Sequence, residues 1–514
     1  MIINAAIMTA TSLFLRTTGI MYRVFVSERV TAEGMGLHTL TLSVFTFAVT
    51  FSTAGINTAV TRLLSEQLGN QKYRSPTPIM RHAFTYALTV SCTVAVLLFL
   101  FSDLLSNTIL KDARAGLLLK ILAPSLPFMA ISACIKGYFF ACRQASRPAV
   151  SDIIEQFTEM GIFALSVGIL IPYGIAYACV AIVIGTTISE VASCLYLVIL
   201  YIRHIRQNHV QIPKKTDTIS IYPMLKIAVP VAFSSGIGAG LRTLENILIP
   251  EGLRQSGESH DRALSLYGMV RGMVIPVIFF PAAFLSAFSS LLIPELSEAK
   301  AVGNTRHIRY ITTRVVQLTT LLSVLVTGIF IIFSKEIGLL VYQSTEIGTV
   351  ILILAPLTAL MYADTIVDGM LKGLDLQFNV LWYNIIDSAI RIVLIAVLVP
   401  RLGFVGFMIV MYVSNIFNPV LSIRKLLQVT DTHLDVSIMV FKPILAVTAS
   451  SLIVRCLANV GGDAFYLTPI GLTVGIASVC FCYFVLILCF GCLSEDDILW
   501  MAQMIKKPKK EITR

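Results

Sequence analysis

Apolar stretches long enough to cross a lipid bilayer recur along the whole chain of 514 residues. A bilayer core about 30 Å thick requires about 20 apolar residues in helical form. Windows that meet this requirement lie at 4–26, 37–61, 83–105, 117–141, 150–171, 174–202, 224–250, 265–294, 310–333, 348–371, 379–400, 403–427, 437–458 and 466–490. The pattern predicts an all-α polytopic membrane protein with about 14 transmembrane helices.

The composition excludes a water-soluble fold. Hydrophobic residues make up 56% of the chain and charged residues only 13%, whereas soluble domains carry about 25% charged residues. The formal net charge of +10 is spread over short segments between apolar stretches rather than gathered in one basic domain. The predicted partner is therefore the lipid bilayer, and no nucleic acid is expected to bind.

The distribution of Lys and Arg predicts the orientation, because cytoplasmic loops carry the excess of positive charge. One set of alternate loops holds about 24 basic residues and the other about 10. The chain is thus predicted to be a multi-pass protein of the cell (cytoplasmic) membrane with both termini cytoplasmic. Residues 494–505 are interpreted either as a short interfacial helix or as a solvated tail, and a basic cluster follows them at Lys506, Lys507, Lys509 and Lys510.

The ten cysteines indicate neither a metal site nor a disulfide framework. Cys489 and Cys492 form a C-x-x-C pair, but no second pair or nearby His completes a zinc site. Free cysteine serves well as a small buried hydrophobic residue. No cofactor, catalytic nucleophile or phosphate-binding loop is found, so the sequence does not predict an enzyme.

The two halves of the chain share a sequence repeat. One constant offset, which we call the main offset, aligns Leu64-Ser65-Glu66 with Leu296-Ser297-Glu298, Ala123-Pro124 with Ala355-Pro356, Gly137 with Gly369, and Ile153-Ile154-Glu155 with Ile385-Ile386-Asp387. Near the first span a slightly smaller offset, which we call the first-span offset, aligns Leu15-Arg16-Thr17 with Leu241-Arg242-Thr243. The repeat predicts two pseudo-symmetric six-helix lobes, 1–215 and 216–430, followed by 431–514, which adds two extra spans and a basic tail.

Several segments carry a resemblance to a known family. They are LFLRTTGIMYRVFV, TAGINTAVTRLLSE and APSLPFMAISACIKGYFFACRQASRPAVSDIIEQ in the first half, and GLRTLENILIPEGLR and MVRGMVIPVIFFPAAFLSAFSSLLIPELSEA in the second. They resemble the stage V sporulation protein B group of polysaccharide transporters. This group lies within the superfamily that also holds lipid II flippases and multidrug and toxin extruders.

The resemblance implies two six-helix lobes around a central cavity and alternating access. It implies an undecaprenyl-pyrophosphate-linked glycan as the substrate, for peptidoglycan or spore cortex, with cell-wall synthesis enzymes as a candidate class of partner. Members of the group usually begin with a basic stretch before the first span. Its absence here leads to the expectation that this chain starts late.

Arginines inside the predicted spans are the candidate substrate-binding residues, because a charge at mid-bilayer costs at least about 2.5 to 3.5 kcal/mol. Arg16 and Arg23 share one face of the first span, and Arg242 is the counterpart of Arg16 in the repeat. Arg271 lies in the eighth span. Guanidinium groups bind phosphate oxygens bidentately and stay charged. In the resembling lipid II flippases, arginines of the first and eighth spans are thought to bind pyrophosphate, and Arg16, Arg23 and Arg271 match those positions best.

The alternatives for these arginines are structural. Arg23 and Arg271 would reach the interface with their charged ends, or Arg242 would pair with Glu245 one turn away.

Carboxylates inside the spans are the second set of candidates, for coupling to H+, Na+ or the membrane potential. Glu155 and Glu159 stand four residues apart on the fifth span, as do Asp364 and Asp368 on the tenth. Such groups are suited to carry a coupling ion. The alternative is structural pairing, as between Asp387 and Arg391 or between Glu155 and Lys136. The sequence leaves Glu190 without an assignment.

Three functions compete on this pattern. A flippase for a lipid-linked glycan requires a cationic cavity, which the arginines favour. A cation-coupled exporter of small molecules from the same superfamily would present acidic and aromatic groups instead. A membrane-embedded glycan polymerase or ligase would require a large external loop with catalytic carboxylates or His, but the longest predicted external loop, about 251–264, is short.

Overall fold

The computed structural model describes residues 2–70, 77–207, 221–432, 434–461 and 466–492. Within these ranges the chain forms helices joined by short turns and contains no strand, so the predicted all-α class is confirmed. Residues 494–505 and the basic cluster that follows them lie outside the described residues. The side chain of Arg16 also lies outside the described part, although its backbone belongs to the first helix.

The described residues before Gly272 form α1 (Ile2–Thr53), α2 (Ile56–Asn70), α3 (Thr77–Leu100), α4 (Ser102–Leu104), α5 (Arg114–Leu122), α6 (Ser125–Ala141), α7 (Ser146–Leu170), α8 (Ile175–Gln207), α9 (Tyr222–Gln255) and α10 (His260–Tyr267). Two π-helical segments, Leu105–Leu110 and Gly268–Val274, follow α4 and α10. A short 3₁₀ turn, Ile171–Tyr173, joins α7 to α8.

The described residues after this point form α11 (Ile275–Phe279), α12 (Ala282–Ala301), α13 (Thr305–Ile332), α14 (Ser334–Tyr342), α15 (Thr345–Leu354), α16 (Thr358–Gly373), α17 (Gln377–Thr430), α18 (Lys442–Gly461) and α19 (Pro469–Cys489). A 3₁₀ turn, Ala355–Leu357, joins α15 to α16. A π-helical turn, Ser437–Phe441, leads into α18.

The chain folds into two compact units. The first comprises Met1–Gly272 with Ile392–Gly406, and the second comprises Met273–Arg391 with Phe407–Arg514. Buried residues such as Val60, Ala83 and Ile135 form a core of the first unit where α2, α3 and α6 meet. In the second unit Leu321 and Tyr483 belong to a core formed by α13, α18 and α19. The division at residues 215 and 430 stays a prediction.

Many of the helices are long and apolar enough to cross a membrane. Among the described residues there are 11 such helices, or up to 12 if the bent pair Arg114–Leu122 and Ser125–Ala141 counts as one span. The protein is therefore a multi-pass membrane protein, but fourteen separate spans are not confirmed. The difference has a physical reason, since α1 and α17 contain non-helical residues at Thr31 and Gly403 and each of them covers two predicted windows.

The backbone repeats unusual features at the main offset found in the sequence. Lys111 and Gln343 are related by this offset, and both take left-handed conformations, with φ of 54° and 52°. Arg143 and Asp375, which the same offset relates, do so at φ of 58° and 59°. Positive φ is uncommon for residues other than glycine. Its recurrence at one offset supports a duplication independently of side-chain composition.

Close helix packing recurs at the main offset within each unit. In the first unit Gly137 of α6 faces α2 so closely that a Cβ atom on it would lie 2.9 Å from the carbonyl oxygen of Asn57. In the second unit a Cβ atom on Gly369 of α16 would lie 1.8 Å from Oγ of Ser289 on α12. The main offset relates Gly137 to Gly369 and Asn57 to Ser289. The repeat therefore preserves a helix contact that only glycine permits.

Candidate functional site

Two of the predicted arginines lie well inside candidate spans of the first unit. Arg23 is on α1, and Arg242 is in the interior of α9. Both side chains are exposed. Neither forms an ion pair with another residue that the structure describes. Because a charge facing hydrocarbon is costly, exposed guanidinium groups at these positions require water or a ligand beside them.

Neighbouring contacts position these two helices. Tyr22 and Phe25 on α1 both pack edge-on against Phe163 of α7, with ring centroids 5.6 and 5.8 Å apart. Thr243, next to Arg242, donates a hydrogen bond of 2.9 Å to the carbonyl oxygen of Ser43 on α1. The residues that flank the two arginines therefore hold their helices in place.

Arg271 lies in the π-helical segment Gly268–Val274 and is half-buried. Its Nη2 atom lies 4.0 Å from Oε2 of Glu245, which is only 1% exposed. Glu245 thus pairs with Arg271 rather than with Arg242, its neighbour on the same helix. π-Helical turns within longer helices occur frequently at functional sites, and this one carries a predicted substrate-binding residue.

The carboxylates of the fifth predicted span belong to a charged cluster between α6, α7 and α8. Lys136 Nζ lies 2.7 Å from Oδ1 of Asp152 and 4.0 Å from Oε2 of Glu155. The predicted structural pairing of Glu155 with Lys136 is therefore present. Glu159 accepts a hydrogen bond of 3.0 Å from Thr186 on α8 and interacts electrostatically with Arg23. Glu159 is thus the acidic group of this cluster that faces a candidate substrate-binding arginine.

Glu190 on α8 completes this cluster, although no sequence pattern assigned it a role. Its side chain is 7% exposed, and its carboxyl group lies beside that of Glu155 on α7. Two carboxyl groups can share a hydrogen bond only if one of them carries a proton. The pair is therefore a candidate proton site between α7 and α8.

The carboxylates of the tenth predicted span lie in the second unit, against α17. Asp364 accepts a hydrogen bond of 3.2 Å from the amide of Asn418, and this amide also lies 3.3 Å from Oδ1 of Asn384. Asp368, one turn further along α16, lies near Asn384. The four side chains form a polar network of carboxylate and amide oxygens inside apolar helices. The sequence did not single out the two asparagines, because only charged residues within the spans were selected as candidate site residues.

Asp387 takes the structural role that was considered for it. It forms an ion pair with Arg391 on the same helix and accepts a hydrogen bond of 2.9 Å from Ser414. Among the described residues, no group of three or more His, Cys, Asp or Glu side chains is placed to hold a metal ion. The ten cysteines are free thiols.

Comparison with known proteins identifies the family. The sequence pattern of the family described as "Polysaccharide biosynthesis protein" matches residues 2–298, which is more than half of the chain. The chain belongs to this family. One relative of the chain, "Stage V sporulation protein B" of Bacillus subtilis (strain 168), is 25% identical over 406 residues, which cover 78% of each protein.

Two solved structures share the fold of this family member. The structure described as "Lipid II flippase MurJ, inward closed conformation" covers 94% of this chain and 98% of its own at a TM-score of 0.70 and 15% identity. An inward-facing multidrug resistance MATE family transporter of the MOP superfamily covers 83% and 99% at a TM-score of 0.63 and 12% identity. The chain therefore shares the fold of these two proteins. By their descriptions these two structural neighbours are a flippase and a transporter rather than enzymes.

Proposed function

We propose that this protein flips an undecaprenyl-pyrophosphate-linked glycan precursor, for peptidoglycan or spore cortex, across the cytoplasmic membrane by alternating access. The observation that carries the proposal is the pair of exposed guanidinium groups, Arg23 and Arg242, inside candidate spans and without ion pairs among the described residues. A pyrophosphate headgroup supplies the negative charge that such groups bind. Arg16 and Arg271 complete the proposed binding set.

The family and its relatives support a lipid-linked cargo. The family name refers to polysaccharide biosynthesis, one relative is a sporulation protein, and one structural neighbour is a flippase for lipid II. A second neighbour is a multidrug transporter, so export of small organic cations is the competing function. Permanent positive charge in the path disfavours cationic cargo, because like charges repel there with little screening.

The proposal includes the orientation of the protein in the membrane and the role of each part of the chain. Both termini lie in the cytoplasm, as the basic loops predict, and cell-wall synthesis enzymes are the expected partners. The duplicated segments 1–215 and 216–430 move against each other, and the helices after 430 are an addition to them. The repeated left-handed residues and glycine contacts support this division.

A reconstituted flipping assay tests the proposal. Purified protein is placed in liposomes with a fluorescent undecaprenyl-pyrophosphate-linked sugar, and the fraction that reaches the opposite leaflet is followed over time. We expect flipping well above that of empty liposomes and no uptake of an organic-cation dye. If the protein transported the dye but did not flip the lipid, the proposed function would be wrong and export of small organic cations would take its place.

Coupling to a proton is proposed at the Glu155–Glu190 pair. The two carboxyl groups lie side by side, so a proton shared between them would hold them together, and its loss would leave two adjacent negative charges that drive the helices apart. The Asp364 network of carboxylates and amides is the second candidate, for H+ or Na+.

We expect Glu190→Gln to abolish the response of flipping to an imposed pH gradient, because an amide keeps the hydrogen bond to Glu155 but cannot release a proton. In the liposome assay a gradient should accelerate the wild type, and the variant should show less than about one tenth of that acceleration. Asp152→Asn is the matched control, since Asp152 on the same helix as Glu155 pairs with Lys136 and is more exposed. A full gradient response in Glu190→Gln would remove the pair from coupling.

A further inference from the structure

A cluster of charged side chains in the first unit joins three separate segments, α1, the turn that leads into α5, and the start of α10. Arg114 at the start of α5 binds Glu33 of α1 through Nη1 at 2.6 Å and lies 3.5 Å from Asp261 of α10 through Nη2. It also binds Asp112, which precedes it in the same turn, at 2.8 Å. His260 Nε2, at the start of α10, lies 2.9 Å from Oδ2 of Asp112. We call Glu33, Asp112, Arg114, His260 and Asp261 the ionic cluster.

Two further contacts fasten the same segments beside the ionic cluster. Lys111, in the turn before α5, binds Glu251 near the end of α9 at 2.5 Å. Arg254 and Gln255 lie 3.4 and 3.2 Å from the same carboxylate. The end of α9 and the start of α10 are thus tied to the turn between residues 110 and 114. This end of the helices lies on the side that the Lys and Arg distribution predicts to be external.

The carboxyl group of Asp112 lies at the centre of the ionic cluster and is 5% exposed. Its burial alone would raise its pKa, but the hydrogen bonds from Arg114 and His260 outweigh burial and hold the pKa below its usual value. The carboxylate is therefore charged at neutral pH. Its contribution to stability is lost only as the pH falls through that lowered pKa.

Glycine packing brings α1 and α10 together next to the ionic cluster. A Cβ atom on Gly36 of α1 would lie 2.1 Å from the carbonyl oxygen of Leu264. A Cβ atom on Gly268 would lie 2.1 Å from the carbonyl oxygen of Ala32 and 2.4 Å from the amide nitrogen of Gly36. The two backbones are in direct contact. The ionic cluster and this glycine contact hold the same pair of helices.

The sequence repeat assigns α9 and α10 to the second half of the chain, whereas the contacts of these helices assign them to the first compact unit. The first-span offset, which aligns Arg16 with Arg242, assigns these helices to the second repeat. It also relates the break at Thr31, with φ of 65°, to Gly257, with φ of 106°. Yet α9 and α10 belong to the compact unit that contains the first repeat. Contacts across the repeat boundary, among them the ionic cluster, hold them there.

We propose that the ionic cluster, together with the Lys111–Glu251 pair, is the external gate latch of the transporter. It closes the outer end of the path by tying α9 and α10 of the second repeat to α1 and the 110–114 turn of the first. The inference rests on the proposed alternating access. In the outward-open state these segments separate, and the bonds of Arg114 and Asp112 to α10 break. Removing one of those bonds shifts the population toward the open state, because the latch then contributes less to the closed one.

Hydrogen–deuterium exchange of the full-length protein in lipid nanodiscs tests the latch without any cargo. In Asp112→Asn we expect exchange at residues 257–268 and 29–36 to be at least about fivefold faster than in the wild type. Asp103→Asn is the matched control. Asp103 also forms an ion pair on this side, with Lys120 at 2.7 Å, but both partners lie within the first repeat. The control should leave 257–268 unchanged.

A second variant distinguishes local opening of the latch from general unfolding of the protein. His260→Ala removes the bond to Asp112 but leaves the bonds between Arg114 and Asp112 intact, so it should accelerate exchange at 257–268 while α7 exchanges as in the wild type. Unchanged exchange at 257–268 in His260→Ala, or equal acceleration by Asp103→Asn, would overturn the latch. If the wild type did not flip the lipid in liposomes, the proposed cargo would be wrong. The exchange experiment would still test the latch, because it is carried out without any cargo.

Discussion

Arg16→Ala is expected to abolish translocation of the pyrophosphate-linked precursor while leaving expression and folding intact. Arg16 lies on α1 two helical turns before Arg23, on the same face of the helix. Two hydrogen bonds between a guanidinium and a phosphate contribute about 3 kcal/mol or more together. Their loss lowers the flipping rate about a hundredfold or more.

Two variants sharpen this experiment. Arg16→Lys keeps the charge but loses the bidentate geometry, so it should retain a measurable fraction of the flipping activity, about a tenth of the wild type. Arg62→Ala is the control, because Arg62 forms an exposed ion pair with Glu66 on α2 and should flip at the wild-type rate. Wild-type flipping by Arg16→Ala in reconstituted vesicles would remove Arg16 from the binding set.

Gly268→Val is expected to destabilise the protein more than any substitution of an exposed residue. The backbone at Gly268 has φ of −63° and suits any residue, so the effect comes from space alone. A side chain there would meet backbone atoms of Ala32 and Gly36, which cannot rotate away. Overpacking of a core costs about 1 to 3 kcal/mol, and more where the neighbours cannot move.

Thermal unfolding of purified protein measures this effect. The apparent unfolding temperature of Gly268→Val should fall by about 1 to 3 °C for that cost in a chain of this length, or the variant should fail to yield monodisperse protein. Gly168→Val is the matched control, since nothing lies within 4 Å of a Cβ atom at Gly168. If both variants unfold at the same temperature as the wild type, α1 and α10 do not pack as described.

The helical architecture was predictable because local composition alone specifies a membrane helix. The predicted windows fall on helical segments, since about 20 apolar residues leave the backbone no partner but itself in lipid. The breaks were harder to place. Thr31 and Gly403 have non-helical backbone angles, and each marks a break between two helical segments within α1 and α17.

The candidate site was predictable only where a single charge is informative. An arginine in an apolar span stands out, and Arg23, Arg242 and Arg271 were identified in this way. Glu190 was not assigned because its meaning depends on Glu155, which lies on another helix. The amides of Asn384 and Asn418 carry no charge and gain significance only beside Asp364. The ionic cluster joins residues as far apart in sequence as Glu33 and Asp261. No sequence pattern connects these residues, because only the fold brings them together.

The measurement that tests the central claim most directly is the binding of undecaprenyl pyrophosphate, compared with uncharged undecaprenol, to the purified wild type and to a variant with Arg16, Arg23 and Arg242 replaced by alanine. If cationic groups in the spans bind the headgroup, the wild type should prefer the pyrophosphate by about a hundredfold or more. The variant should bind both lipids alike. Equal affinity of the wild type for the two lipids, or an undiminished preference in the variant, would contradict the account.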